Sequence, residues 1–191
     1  MQIIPAILAT TEDEYRDQLE KIRTCPELVY AERTCTERSR SSRSKGWVQI
    51  DFMDNKFVQN KSIEPNIVTK NPPKMKIEAH MMVQNPMYWL GSLLLLKPQR
   101  VIVPVEIGEN AMRFISDSKG KFPQIGLSLS PETDVQIVEP FIIQVNSILV
   151  MSVHPGFQAQ GFLIEVLEKV VYFKKRYPNK NLIVGVDGGI T

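Results

Sequence analysis

Cysteine is nearly absent from this chain: Cys25 and Cys35 are the whole complement in 191 residues. Two thiols make no disulfide framework, and their spacing fits no zinc-ligand pattern. Long apolar runs are missing too. The run Leu93-Leu94-Leu95-Leu96 is far too short to cross a bilayer, so no membrane partner is expected. Nor is there an excess of charge of either sign. The formal net charge of +2 gives no general case for binding nucleic acid or a membrane surface. The opening residues Met1-Gln2-Ile3-Ile4-Pro5 lack the basic flank and cleavage site of a secretory signal. A reducing cytoplasm is the expected location.

What is present is an alternation of short apolar runs with amphipathic or capped segments. Residues 3–8 read as a buried strand. Thr10 or Thr11 then forms an N-cap, with Glu12, Asp13 and Glu14 suited to a helix dipole and Tyr15, Leu19 and Ile22 at helical spacing up to about Thr24. A second strand starts at Trp47 and carries Asp51 near its end. A third, residues 76–83, carries His80. Further strands are expected at 100–105, 124–129, 147–153 and 181–187. Helices are expected at 65–70, from Asn85-Pro86 through Leu96, at 110–118, 131–140 and 162–177. In the last of these Ile164, Leu167, Val171 and Phe173 form the expected apolar stripe.

Residues 31–46 break the alternation. They are rich in Arg and Ser, with Arg33, Arg38, Arg40, Arg43 and Lys45 and no apolar periodicity. A basic run of this kind can bind phosphate or RNA. Without an aromatic residue to stack on bases it is better read as a disordered surface insertion, and no nucleic-acid partner is expected.

Strands alternating with helices give an α/β domain with a parallel sheet. Asp51, His80 and Asp187 fall at or near the ends of the second, third and seventh strands. Titratable side chains scattered around a rim suit a (β/α)8 barrel of the TIM type better than an open sheet with one switch-point crevice. Only seven strands are readable, so the barrel is expected to lack its last βα unit, all within one domain spanning 1–191. Each residue has a plainer reading: Asp51 as a turn cap, His80 as a structural histidine, and Met53, Met82 and Met151 as core.

In order and spacing the chain resembles the ribulose-phosphate 3-epimerase family. Ile4-Pro5-Ala6-Ile7-Leu8 looks like that family's opening strand. Residues 48–60 look like its His-x-Asp-x-Met-Asp-Gly-x-Phe-Val-Pro-Asn segment. Glu78-Ala79-His80-Met81-Met82-Val83-Gln84-Asn85-Pro86 resembles its Asp-x-His-Leu-Met-Val-x-x-Pro. Val150-Met151-Ser152-Val153-His154-Pro155-Gly156-Phe157 and Val186-Asp187-Gly188-Gly189-Ile190 resemble its last motifs. The resemblance implies C3 epimerisation of a ketose phosphate, D-ribulose 5-phosphate to D-xylulose 5-phosphate. Asp51 and Asp187 would exchange the proton, and a divalent cation (zinc, iron, manganese or magnesium) would be held by Asp51, His80, Asp187 and Gln49. Met53, Met82 and Met151 would pack around the reacting carbons. Gly156, Gly188 and Gly189 would form part of the phosphate grip, and the assembly would be a homo-oligomer.

The departures from that family bear on function. Gln49 stands where the family has a histidine ligand, and a neutral amide oxygen suits magnesium or manganese better than zinc or iron. Ala6 replaces a serine near the substrate. Gly156-Phe157-Gln158-Ala159-Gln160 replaces Gly-Phe-Gly-Gly-Gln, and the final strand with its Gly-Ser loop is missing. Two other functions therefore stay open from the sequence: a catalytically silent or truncated sugar-phosphate-binding remnant, and an epimerase acting on a hexulose phosphate such as allulose 6-phosphate.

Overall fold

A computed structural model of the chain describes residues 2–24, 46–154 and 161–189. The Arg/Ser-rich segment up to residue 45, both cysteines and Gly156 lie outside the described residues.

The strands β1 (Ala6–Ile7), β2 (Trp47–Met53), β3 (Lys76–Met82), β4 (Arg100–Pro104), β5 (Gln124–Leu129), β6 (Ser147–Met151) and β7 (Ile183–Asp187) form one sheet in chain order. Every pairing is parallel. Helices α1 (Glu12–Thr24), α2 (Pro65–Lys70), α3 (Leu90–Leu96), α4 (Glu109–Asp117) and α5 (Leu167–Arg176) connect them, with 3-10 turns at Pro86–Trp89, Val105–Ile107, Val135–Phe141 and Ile164–Val166. This is the α/β architecture expected, a barrel-like sheet one unit short, with β1 and β7 as its two edges.

Period-two alternation sorts the strand residues into two faces. Val48, Ile50 and Phe52 of β2, Ile77, Ala79 and Met81 of β3, and Leu127 and Val150 further along lie in the main core between sheet and helices. The opposite face carries Gln49, Asp51 and Met53, then Glu78, His80 and Met82. Its curvature is read from one contact. Gln49 of β2 bonds Asp187 of β7 at 2.8 Å, although the strand order places β3, β4, β5 and β6 between them. Only a sheet curled on itself brings those side chains together, so this second face is the inside of the barrel.

Local chemistry fixes the elements as the sequence predicts in most places. Thr11 Oγ1 accepts from the Glu14 backbone N–H, and the Glu14 carboxylate accepts from the Thr10 N–H and hydroxyl, a reciprocal cap that starts α1. Tyr15, Leu19 and Ile22 are buried, and Tyr15 donates its hydroxyl to the Asn71 carbonyl. Asn85 caps the 3-10 turn that opens the α3 region, accepting from Met87 N–H.

The stripe expected on the last helix is wrong. Ile164 and Val171 are 68% and 48% exposed, and only Phe173 of the expected set is buried. A 3-10 turn occupies Ile164–Val166, and the packed face runs instead through Val166, Val170, Phe173 and Tyr177. Both sets have helical spacing, so periodicity alone could not choose between them. The segment expected to be helical at 131–140 is likewise a 3-10 turn over Val135–Phe141, capped by Asp134. The preceding loop is pinned by Lys169, whose ammonium donates to the carbonyls of Ser130, Pro131 and Thr133.

The inner face is also charged at a lower level. Arg100 pairs with Glu78, donates to Gln124 Oε1 at 2.8 Å, and lies over the Trp47 ring at 4.6 Å. Both partners of this pair are buried.

Candidate active site

Asp51, His80 and Asp187 reach one point from separate strands. Asp51 and His80 are direct register partners on β2 and β3, and curling of the sheet delivers Asp187 from β7. Each of the three offers one ligand atom, and those atoms lie within 4.8 Å of one another. His80 Nδ1 sits 3.3 Å from Asp51 Oδ1 and 3.4 Å from Asp187 Oδ2. From the other side Gln49 Nε2 donates to the same two oxygens, at 2.9 Å to Asp51 and 2.8 Å to Asp187. The result is a four-cornered arrangement, two carboxylate oxygens bridged by two nitrogens.

Two serines hold the backbone beneath these carboxylates. Ser62 Oγ donates to the Asp51 carbonyl at 2.8 Å and accepts from the Met53 N–H at 2.9 Å. Ser152, fully buried, directs both its hydroxyl and its N–H to the Asp187 carbonyl. Its hydroxyl also reaches the Gly188 carbonyl at 2.6 Å. Neither serine is singled out by the sequence. The available signal for Ser152 is a hydroxyl embedded in the apolar run Val150-Met151-Ser152-Val153.

Burial and charge separate the two carboxyls. Burial pushes Asp51 up, and the neighbouring Asp187 charge adds to this against the opposing His80 and Gln49. Burial acts the same way on Asp187, but the hydrogen bond and charge of His80 and the Gln49 amide outweigh it, and the net shift is downward. Burial by itself would lower His80; the bonds to Asp187 and Asp51 and their charges carry it up to about 10. Their surroundings thus shift the two carboxyls in opposite directions. His80 Nε2 is buried with no hydrogen-bond partner, so the ring is oriented by the carboxylates and by packing.

Oxygen and imidazole donors at this spacing suit a divalent cation. Asp51, His80 and Asp187 fit that demand. Gln49, expected among the ligands, stands at the remaining corner with its nitrogen rather than its oxygen turned inward.

Met53 and Met82 are register partners one inward position beyond Asp51 and His80, packed with each other and Val58. Met151, the register partner of Asp187, packs with Ile102 and Leu149. The three methionines thus flank the carboxylate pair. Gly188 and Gly189 follow Asp187 with φ of 104° and 63°. A Cβ on Gly188 would also run into the Val153 side chain. Gly188→Ala is therefore expected to destabilise the protein by about 1–3 kcal/mol, since both the left-handed backbone and the clash oppose it. Urea denaturation of the variant beside the parent checks this; an unchanged midpoint would contradict it.

The profile of the Ribulose-phosphate 3 epimerase family matches residues 31–191. Ribulose-phosphate 3-epimerase of Chlamydia pneumoniae is 28% identical over 180 residues, covering 90% of this chain and 79% of that protein. The Chlamydia trachomatis protein of the same name is 31% identical over 174 residues, 86% of this chain and 75% of its own length. The cytoplasmic isoform of Oryza sativa is 33% identical over 150 residues, 75% of this chain and 65% of that protein.

Proposed function

Because the chain belongs to the ribulose-phosphate 3-epimerase family, we propose that it inverts C3 of D-ribulose 5-phosphate to give D-xylulose 5-phosphate. The observation that carries this reading is the convergence of Asp51 and Asp187 on one point with His80 between them.

The hydrogen on a carbon next to a ketone is acidic enough to be removed when the resulting enediolate is stabilised. One carboxylate takes the C3 proton, the C–H electron pair becomes the C2–C3 double bond, and the C2=O π pair moves onto O2 to give the enediolate. The other carboxyl, in its protonated form, returns a proton to C3 from the opposite face. The next turnover starts with the protonation states exchanged. A divalent cation, when bound by Asp51, His80 and Asp187, supplies positive charge against the developing enediolate oxygens. Met53, Met82 and Met151 bound the space around the carbon chain without offering a competing base. The positive-φ backbone at Gly188 and Gly189 can turn successive N–H groups toward a phosphate, and Gly156 is assigned to the same grip.

No helix among the described residues is long and apolar enough to cross a membrane. The cytoplasm is the proposed location, a reading that the name of the rice relative, a cytoplasmic isoform, supports, and a homo-oligomer is the proposed assembly. Incubation with D-ribulose 5-phosphate and manganese, zinc, iron(II) or magnesium, followed by NMR, is expected to show xylulose 5-phosphate accumulating. Folded protein that makes none with any of these cations would overturn the assignment in favour of a silent sugar-phosphate binder.

A further inference from the structure

Gln49 has a chemistry of its own at this centre. A carboxylate oxygen only accepts hydrogen bonds, so the side chain that bridges Asp51 Oδ1 and Asp187 Oδ2 must present its NH2. The two N–H groups are spent one on each carboxylate, at 2.9 and 2.8 Å. Gln49 is 4% exposed, so water does not compete strongly for these bonds. Asp51, His80 and Asp187 are the residues that could hold a cation, each through one ligand atom, and the two oxygens that Gln49 engages also face His80 Nδ1, at 3.3 and 3.4 Å. An amide nitrogen offers no lone pair to a cation, and its hydrogens repel one.

We propose that Gln49 is an internal competitor of the cation: its NH2 clamps Asp51 and Asp187 together in the cation-free protein and must be displaced for a divalent ion to enter. This rests on the cation-assisted reading above and adds to it. Loading requires the carboxamide to release both oxygens, by swinging aside or by rotating to present Oε1. The consequence is a centre that loads reluctantly and discriminates against ions that favour nitrogen donors, since a rotated amide supplies a hard, neutral oxygen. Ser62 and Ser152 bond the backbone carbonyls of Asp51 and Asp187, so the strand ends that carry the carboxylates are held while the amide moves.

The test is cation binding by calorimetry and by manganese EPR on the parent, Gln49→Leu, Gln49→Ala and Gln49→His, with circular dichroism confirming that each is folded. Gln49→Leu keeps the volume and removes the amide, and Gln49→Ala guards against a misfit of the branched side chain. Loss of two charge-assisted hydrogen bonds from the cation-free state should tighten manganese binding by at least about tenfold in both. Gln49→His should in addition shift preference toward zinc. Weaker manganese binding by Gln49→Leu and Gln49→Ala than by the parent would overturn the proposal, because Gln49 would then be a net ligand through its oxygen. Equal affinity in all four would overturn it as well, leaving the three-ligand reading intact. If none of the four binds any cation, both the competition and the cation-assisted reading fall together.

Discussion

Asp187→Asn is expected to lower the rate of ribulose 5-phosphate epimerisation by roughly 10²–10⁴-fold, the range that a positioned acid or base contributes. Asparagine fills the same space but cannot carry the proton. The Ser152 hydroxyl and N–H both donate to the backbone carbonyl of residue 187, which the substitution leaves untouched, so the strand end should stay where it is. Asp51→Asn should cost a similar factor. The two variants differ in a way that a merely structural role would not produce. With one carboxylate left, proton exchange with solvent should survive for one epimer and vanish for the other, and the surviving epimer should be opposite in the two variants. Single-turnover NMR on purified ribulose and xylulose 5-phosphates reads this directly. Full activity in either variant would remove that residue from the chemistry.

The second large effect is on stability. Arg100→Leu is expected to destabilise the fold by about 3–5 kcal/mol, the cost of leaving a buried charge without its partner. Glu78 is 2% exposed, and burial already raises its pKa against the attraction of Arg100. Removing Arg100 also strips the guanidinium from the Trp47 ring and leaves Gln124 Oε1 without its donor. Replacing both members of the pair with leucine should recover most of the loss, because no lone charge is then buried. Urea denaturation of the two single variants and the double variant measures the effect. A single variant as stable as the parent would show that the buried pair does not hold the inner face together.

Much of this fold was legible from local pattern. The strands are short apolar runs bounded by caps and turns, and residues 65–70 and 124–129 fall where the sequence places them. Asp51, His80 and Asp187 could be singled out because titratable groups near the ends of apolar strands are unusual. What stayed hidden depends on register. The Gln49 bridge and the Glu78–Arg100 pair exist because the strand stagger accumulates around the sheet, bringing β2 to β7 and setting Glu78 opposite Arg100. No local window contains that information. The misread stripe of α5 has a related cause: Ile164-Leu167-Val171 and Val166-Val170-Phe173 are both helical repeats, and only the sheet beneath decides which is buried.

The central claim is that C3 is inverted by two monoprotic groups on opposite faces of the substrate. The most direct test is to run the wild-type reaction from D-ribulose 5-phosphate in D2O and follow C3 by NMR from the first turnovers. A carboxyl carries one proton and exchanges it with solvent, so the account predicts that newly formed xylulose 5-phosphate carries deuterium at C3 from the outset, while unreacted substrate is still protiated. Product that retains its original C3 protium would contradict it, because the hydrogen would then have been moved within the substrate or by a single shielded group.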